Sequence, residues 1–174
     1  MGKIALLADA EIKFDIEING CFGGSITELH LIPSESESSG LFFQVNQSCR
    51  KSFVVKVSKQ KAEKLISHLL DYSTAEEIMP KDRSTTSIEG KITWKNISYP
   101  ELDEEGKIRF PGKSYIKPDE YRDVLSFKNL SDEKKNEIQA FIDKGIFSPL
   151  IAIAQTLEKL SKNEEEFIKF VDTL

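Results

Sequence analysis

Ile12, Phe14, Ile16 and Ile18 alternate with Lys13, Asp15 and Glu17. A period of two over that length places one face of a strand in a core and the other in water. Asn19-Gly20 then supplies a turn, and residues 25 to 32 return as a second strand. After the polar loop from Pro33 to Gly40, Leu41 to Val45 and Phe53 to Val57 have the apolar and β-branched content of a further hairpin. Ile88, Ile92 and Trp94 predict a later strand, and Lys107 to Phe110 is placed to pair with it across the acidic turn Asp103 to Gly106.

Two stretches have the helical period instead. Ser58 is an N-cap residue, and Ala62, Leu65, Ile66, Leu69 and Leu70 recur at the spacing of one helix face, so residues 59 to 72 are read as an amphipathic helix. From Ser131 onward the period stays helical. One helix carries Ile138, Phe141 and Ile142 and ends at Gly145. Ser148-Pro149 opens a second that is apolar almost all round through Leu150, Ile151, Ile153, Ala154 and Leu157 and is therefore expected to be buried. Ser161 to Glu164 reads as a capping box opening a third, with Phe167, Phe170, Val171 and Leu174 facing inward. Pro118 to Leu125 reads as a short helical turn. The fold class that follows is α+β: an antiparallel sheet or small six-stranded β-barrel packed by C-terminal helices. One domain is expected over residues 1–174, mainly β with one helix to residue 130 and helical from 131.

Composition narrows the function classes. At 174 residues, with 39% apolar and 30% charged positions, the chain is long enough to bury a core without metal or disulfide. A net charge of −5 gives no global positive field for nucleic acid. Arg50, Arg83, Arg109 and Arg122 are the only arginines, so bidentate phosphate recognition has few candidates. Cys21 and Cys49 are too few for a cysteine zinc site and read as buried free thiols. No apolar run approaches a membrane span, the first residues fit neither a signal peptide nor a myristoylation motif, and a cytoplasmic location is expected. Asn46, Asn96 and Asn129 head N-glycosylation sequons that have no use without a secretory route.

The strand Ser87 to Trp94, followed by Leu125-Ser126-Phe127-Lys128-Asn129-Leu130-Ser131 running into the Glu- and Lys-rich stretch Asp132 to Ile142, resembles the second half of a PilZ domain over roughly residues 86 to 143. In that family a strand ending in a Val-Val-Trp-like motif precedes a last strand of the form Phe-x-x-Leu-Ser that enters such a helix. The resemblance implies a small six-stranded barrel, completed by the early strands with Gly40 to Phe43, and a regulatory role. The family's ligand cyclic di-GMP is a possible partner on this resemblance, but its binding motifs are absent. No arginine precedes Gly40, and Glu35 and Glu37 stand where Asp or Asn and Ser belong. The implied type is a degenerate member that acts through protein contacts, with the helix at 59 to 72 as an insertion.

Among local constellations, Arg50, Lys51, Lys56, Lys59, Lys61 and Lys64 cluster in a hairpin and the first turns of the following helix, with Glu63 as the only opposing charge. Cations at a helix N-terminus are disfavoured by roughly 0.3 to 1 kcal/mol each. An anionic ligand or acidic protein face would offset that, and a solvated lysine face is the bland alternative; these six are the candidate partner-binding residues. Asp82 with Glu89-Gly90-Lys91 resembles the Asp…Glu-x-Lys core of the PD-(D/E)xK nucleases, in which two carboxylates hold Mg²⁺, although acid-x-Lys recurs at Glu11, Glu105, Asp132 and Glu133. Gly20, Gly23 and Gly24 read as a hairpin turn, because no Walker lysine follows. His30 and His68 stand in no metal spacing, His68 on the polar side of its helix, and Cys49 has no local histidine to activate it. Glu164 to Glu166 suit a helical first turn. No metal, cofactor or catalytic residue is assigned. The expected function is non-enzymatic, a PilZ-like regulatory or adaptor module working by protein–protein contact. The alternatives are an acidic immunity or inhibitor protein of the bacterial kind that covers a toxin or nuclease, and a metal-dependent nuclease.

Overall fold

The computed structural model describes residues 4–20, 23–33, 40–73, 86–100, 102–114, 131–133, 136 and 149–174. The expected helix around Ile138 to Ile142, the turn at Pro118 to Leu125, Asp82, Cys21 and most of the PilZ-like segment beyond residue 114 lie outside them. The strands are β1 (Ala5–Gly20), β2 (Gly23–Ile32), β3 (Leu41–Gln47), β4 (Phe53–Val57), β5 (Ser87–Ser98) and β6 (Gly106–Ser114). The helices are α1 (Lys59–Ser73), α2 (Pro149–Leu160) and α3 (Glu164–Asp172).

All strand pairs are antiparallel and the sheet order is β4-β3-β2-β1-β5-β6. The expected α+β class with a sheet packed by C-terminal helices is what the chain adopts. Of the two forms anticipated, the sheet is found and the closed barrel is not, since β4 and β6 occupy opposite edges. β4 is only five residues long and passes within two residues into α1, so the chain leaves the sheet to cover it rather than curling the edge round toward β6.

Alternation decides which face is covered. Ile12, Phe14 and Ile16 of β1, Leu29 and Leu31 of β2, Phe43 and Val45 of β3, Val55 and Val57 of β4, and Ile88, Ile92 and Trp94 of β5 are buried together. They form one apolar cluster with Ala62, Leu65, Ile66, Leu69 and Leu70 of α1, Leu150, Ile151, Ile153, Ala154 and Leu157 of α2, and Phe167 and Val171 of α3. Phe170 and Leu174 are only partly buried at its margin. Helix α2, apolar nearly all round, contacts α1, α3, β2 and β5. Gly90 makes room for it: a Cβ there would lie 2.6 Å from Leu150 Cδ1 and 2.7 Å from Ile16 Cδ1.

The first strand begins earlier than its alternation indicates. Ile4 and Leu6 are buried, and Ala5 and Leu6 pair with Ser98 and Ile97 of β5 before the register slips between Leu6 and Glu11. Asp9 and Asn96 both take positive φ there (58° and 57°), and Asn96 Nδ2 donates to Asp9 O at 3.4 Å. Asp and Asn tolerate that region better than other side chains, so a bulge fits at this point. Among the described residues no helix is long and apolar enough to cross a membrane.

Candidate functional site

Arg50 and Lys61, two members of the basic cluster, are held at different ends of α3. Arg50, in the β3–β4 turn, donates through Nη1 to Glu158 O and to Ser161 Oγ, both at 2.9 Å. Ser161 is buried and itself donates to Glu158 O at 3.0 Å, so the guanidinium closes the carbonyl end of α2, where a cation suits the helix dipole. Lys61 pairs with Asp172 at the far end of α3. Nine helical residues rise roughly 13 Å, and that length of α3 lies between the attachment points of Arg50 and Lys61. Lys56 lies beside Lys61 along a recess of about 160 Å³ that also contains Asp172. Lys51 and Lys64 are exposed, and Lys59 has an interaction partner of its own. Ser58 caps α1 as expected, accepting from Lys61 N at 3.3 Å.

Three assignments are corrected. The cap of α3 is Asn163, whose Oδ1 accepts from Glu166 N at 2.8 Å, and not Ser161, which Arg50 and Glu158 engage. Cys49 is exposed in the β3–β4 turn, because the hairpin places it outside the core. His68 does not face solvent on a polar side. It packs edge-on against Tyr72 and Phe170 at 4.8 and 5.9 Å, with Nε2 3.1 Å from Tyr72 Oη. Burial pushes its pKa down, opposed by the charge of Asp71. His30 projects from the other side of the sheet, its Nε2 2.7 Å from Glu11 Oε1. Gly20 and Gly23 form the last pair of the β1–β2 hairpin, as a hairpin reading of these glycines expects, with Gly23 at φ 116°.

The face of the sheet away from the helices gathers charged side chains from sequence-distant strands. Register places Glu28 of β2 beside Asp15 of β1, Asp15 beside Lys91 of β5, and Lys91 beside Arg109 of β6. This row runs acid, acid, base, base. The next row has Glu17 opposite Glu89, a like-charge pair that costs a few tenths of a kcal/mol or more, up to about 1 kcal/mol, when it is directly opposed. Lys13 bridges the acids of β1 and β2, 2.7 Å from Glu28 and 3.7 Å from Asp15. Its hydrogen bond with Glu28 is the largest cause both of a raised Lys13 pKa and of a lowered Glu28 pKa, so the two partners agree that the pair is held ionised.

Between the two halves of this face lies an open recess of about 600 Å³, walled by Ile26, Phe110 and Pro111 and rimmed by Asp15, Glu17, Glu28, Glu89, Lys91 and Arg109. The β5–β6 register slips between Ile88 and Gly90, next to it. Lys91 and Arg109 make no ion pair among the described residues. Ile26, Phe42 and Val54 stand on the same side at 49%, 37% and 49% exposure.

Glu89 and Lys91, singled out above for nuclease chemistry, therefore share the recess rim. Among the described residues, however, no three His, Cys, Asp or Glu side chains are grouped to hold a metal ion. Alternation marks each of these charges as solvent-facing, but nothing in the sequence says that β1 and β5, some 75 positions apart, are neighbours. Neither a comparison with protein-family models nor a search of curated proteins finds a match to this sequence.

Proposed function

We propose that the chain is a non-enzymatic regulatory or adaptor module that works by protein–protein contact, and that the open face of its sheet is the contact surface. The observation that carries this reading is the row Glu28, Asp15, Lys91, Arg109, in which charges of both signs lie side by side on an exposed sheet beside exposed Ile26, Phe42 and Val54. A protein surface with interleaved charges can match such a pattern, and electrostatic complementarity fixes partner and register. Phosphate backbones meet Glu11, Asp15, Glu17, Glu28 and Glu89 on the same face, which disfavours nucleic acid. The PilZ-like assignment belongs to this proposal on the sequence pattern around Trp94 alone, because the open sheet differs from the closed barrel the resemblance implies; cyclic di-GMP is a possible ligand whose family motif is absent.

The test compares co-purification from the native cells for wild type, Lys91→Glu/Arg109→Glu, and Lys162→Glu as a control in the exposed α2–α3 turn. A protein retained by wild type and Lys162→Glu but lost from the double variant is expected. Equal retention by all three refutes the surface. Mg²⁺-dependent cleavage abolished by Glu89→Ala would overturn the non-enzymatic reading, and calorimetric heat with cyclic di-GMP would overturn the adaptor type. The acids on β1 and β2 favour one second reading, an inhibitor that covers a basic toxin, which predicts an association rate falling steeply with salt.

A further inference from the structure

The open face carries its two signs on separate strands. On β1 and β2 stand Glu11, Asp15, Glu17 and Glu28 with Lys13. On β5 and β6 stand Lys91, Lys95, Lys107 and Arg109 with Glu89. One half thus sums to −3 and the other to +3, from four acids against one lysine and four bases against one glutamate, with His30 taken as neutral. The boundary between them is the β1–β5 seam.

A two-fold axis lying along that seam, parallel to the strands, turns the acidic half of one molecule over the basic half of another and keeps each cross-strand row at its own level. Asp15 then faces Lys91 of the second copy, and Glu28 faces Arg109. Two levels away, beyond the row of Lys13 and His30, Glu11 faces Lys95. Each contact occurs twice by symmetry. The match has costs. Glu17 meets Glu89 and His30 meets Lys107, although the twist of about 30° between packed sheets separates rows away from the centre.

We infer that the first partner of the open face is a second copy of this chain, in an isologous face-to-face dimer held by the rows of Asp15 and Glu28 against Lys91 and Arg109. The inference rests on the open-face reading above and names its occupant. Residues 11 to 17 span about 20 Å and four strands about 19 Å, which gives about 400 Å² of projected surface per copy. That is below the size of a stable specific interface and within the range of weak encounters. The dimer is therefore weak and depends on salt, because its main attraction is between charges at the surface.

The experiment is sedimentation velocity on the purified full chain, up to about 1 mM protein, in about 0.02 M and about 0.5 M salt. Concentration-dependent dimer at low salt, weakened at least tenfold at high salt, is expected. Lys91→Glu/Arg109→Glu makes both halves acidic and Asp15→Lys/Glu28→Lys makes both basic. Each is expected to be monomeric alone, and a one-to-one mixture to form a heterodimer. Should Asp15→Lys/Glu28→Lys lose its fold by circular dichroism, Asp15→Asn/Glu28→Gln replaces it and is expected to weaken the dimer at least tenfold. A wild-type monomer at every concentration, or a dimer indifferent to these substitutions, overturns the inference. Either result leaves the open face to a different protein, which the comparison with Lys162→Glu decides separately.

Discussion

Arg50 separates two views of the basic cluster, and its replacement by alanine gives them different outcomes. The guanidinium joins the β3–β4 turn to the end of α2 through Glu158 O and Ser161 Oγ. A hydrogen bond from a charged donor is worth about 1.5 to 3 kcal/mol, and a cation at a helix C-terminus adds about 0.3 to 1 kcal/mol. Both bonds share one nitrogen and the Glu158 contact is exposed, so the low end applies. Arg50→Ala is expected to cost about 1 to 2 kcal/mol, a substantial part of the 5 to 15 kcal/mol typical of a domain. Ser161 keeps its bond to Glu158 and leaves no buried orphan, which argues against a larger loss. Urea unfolding at neutral pH measures the midpoint with an unchanged slope, and Lys64→Ala serves as an exposed control expected within about 0.5 kcal/mol of wild type. Arg50→Lys keeps the charge on a shorter side chain with a more strongly hydrated head group, and should recover only part of the loss. If Arg50→Ala matches Lys64→Ala in stability while weakening a salt-sensitive anion interaction, the tie is wrong and the residue belongs to a binding site.

Three further predictions test the packing and the titrating groups. Phe167→Ala should cost about 3 to 5 kcal/mol, because the ring is fully buried and packs on Phe43 and Phe53 at 5.7 and 6.4 Å; a loss under about 1 kcal/mol in urea would mean that α3 does not fasten the β3–β4 end of the sheet. Gly106→Ala puts a Cβ 2.4 Å from Trp94 Cζ2, which should move the indole off Asp103 O, its 2.8 Å acceptor. Trp94 is the only tryptophan, so the emission maximum should shift to the red; unchanged emission refutes the close contact. His68, whose pKa burial lowers, takes up its proton at lower pH folded than unfolded. Its contribution is fully present above the unfolded pKa of about 6.5 and lost as pH falls below that value toward the folded one. The fall in stability as pH drops below about 6.5 should flatten in His68→Gln, and an identical slope would show that the ring does not titrate with folding.

The alternation at Ile12 to Ile18 and the spacing at Ala62 to Leu70 were sufficient for β1 and α1, because a strand or helix that must bury one face writes that face into its period. The near-continuous apolar run of α2 likewise announced a helix covered on several sides. The start of β1 was not legible, since Ala8, Asp9 and Ala10 break the period where Asp9 and Asn96 form the bulge. The capping box at Ser161 satisfied a local rule, yet Ser161 is taken by Arg50, a residue 111 positions away, and the cap moved to Asn163.

What the sequence determined by itself is each local period, and with it which side of every strand is apolar and which is charged. Tertiary structure alone decided that β1 lies between β2 and β5, that six strands stay open rather than close, and that acids and bases from four strands share one face. Local periodicity depends on a few neighbouring residues, whereas strand neighbourhood depends on which buried surfaces fit each other, a property of the assembled core. Arg50 and Lys61, close in sequence, were drawn to opposite ends of α3. Asp15, Glu28, Lys91 and Arg109, scattered in sequence, were brought into one row by register.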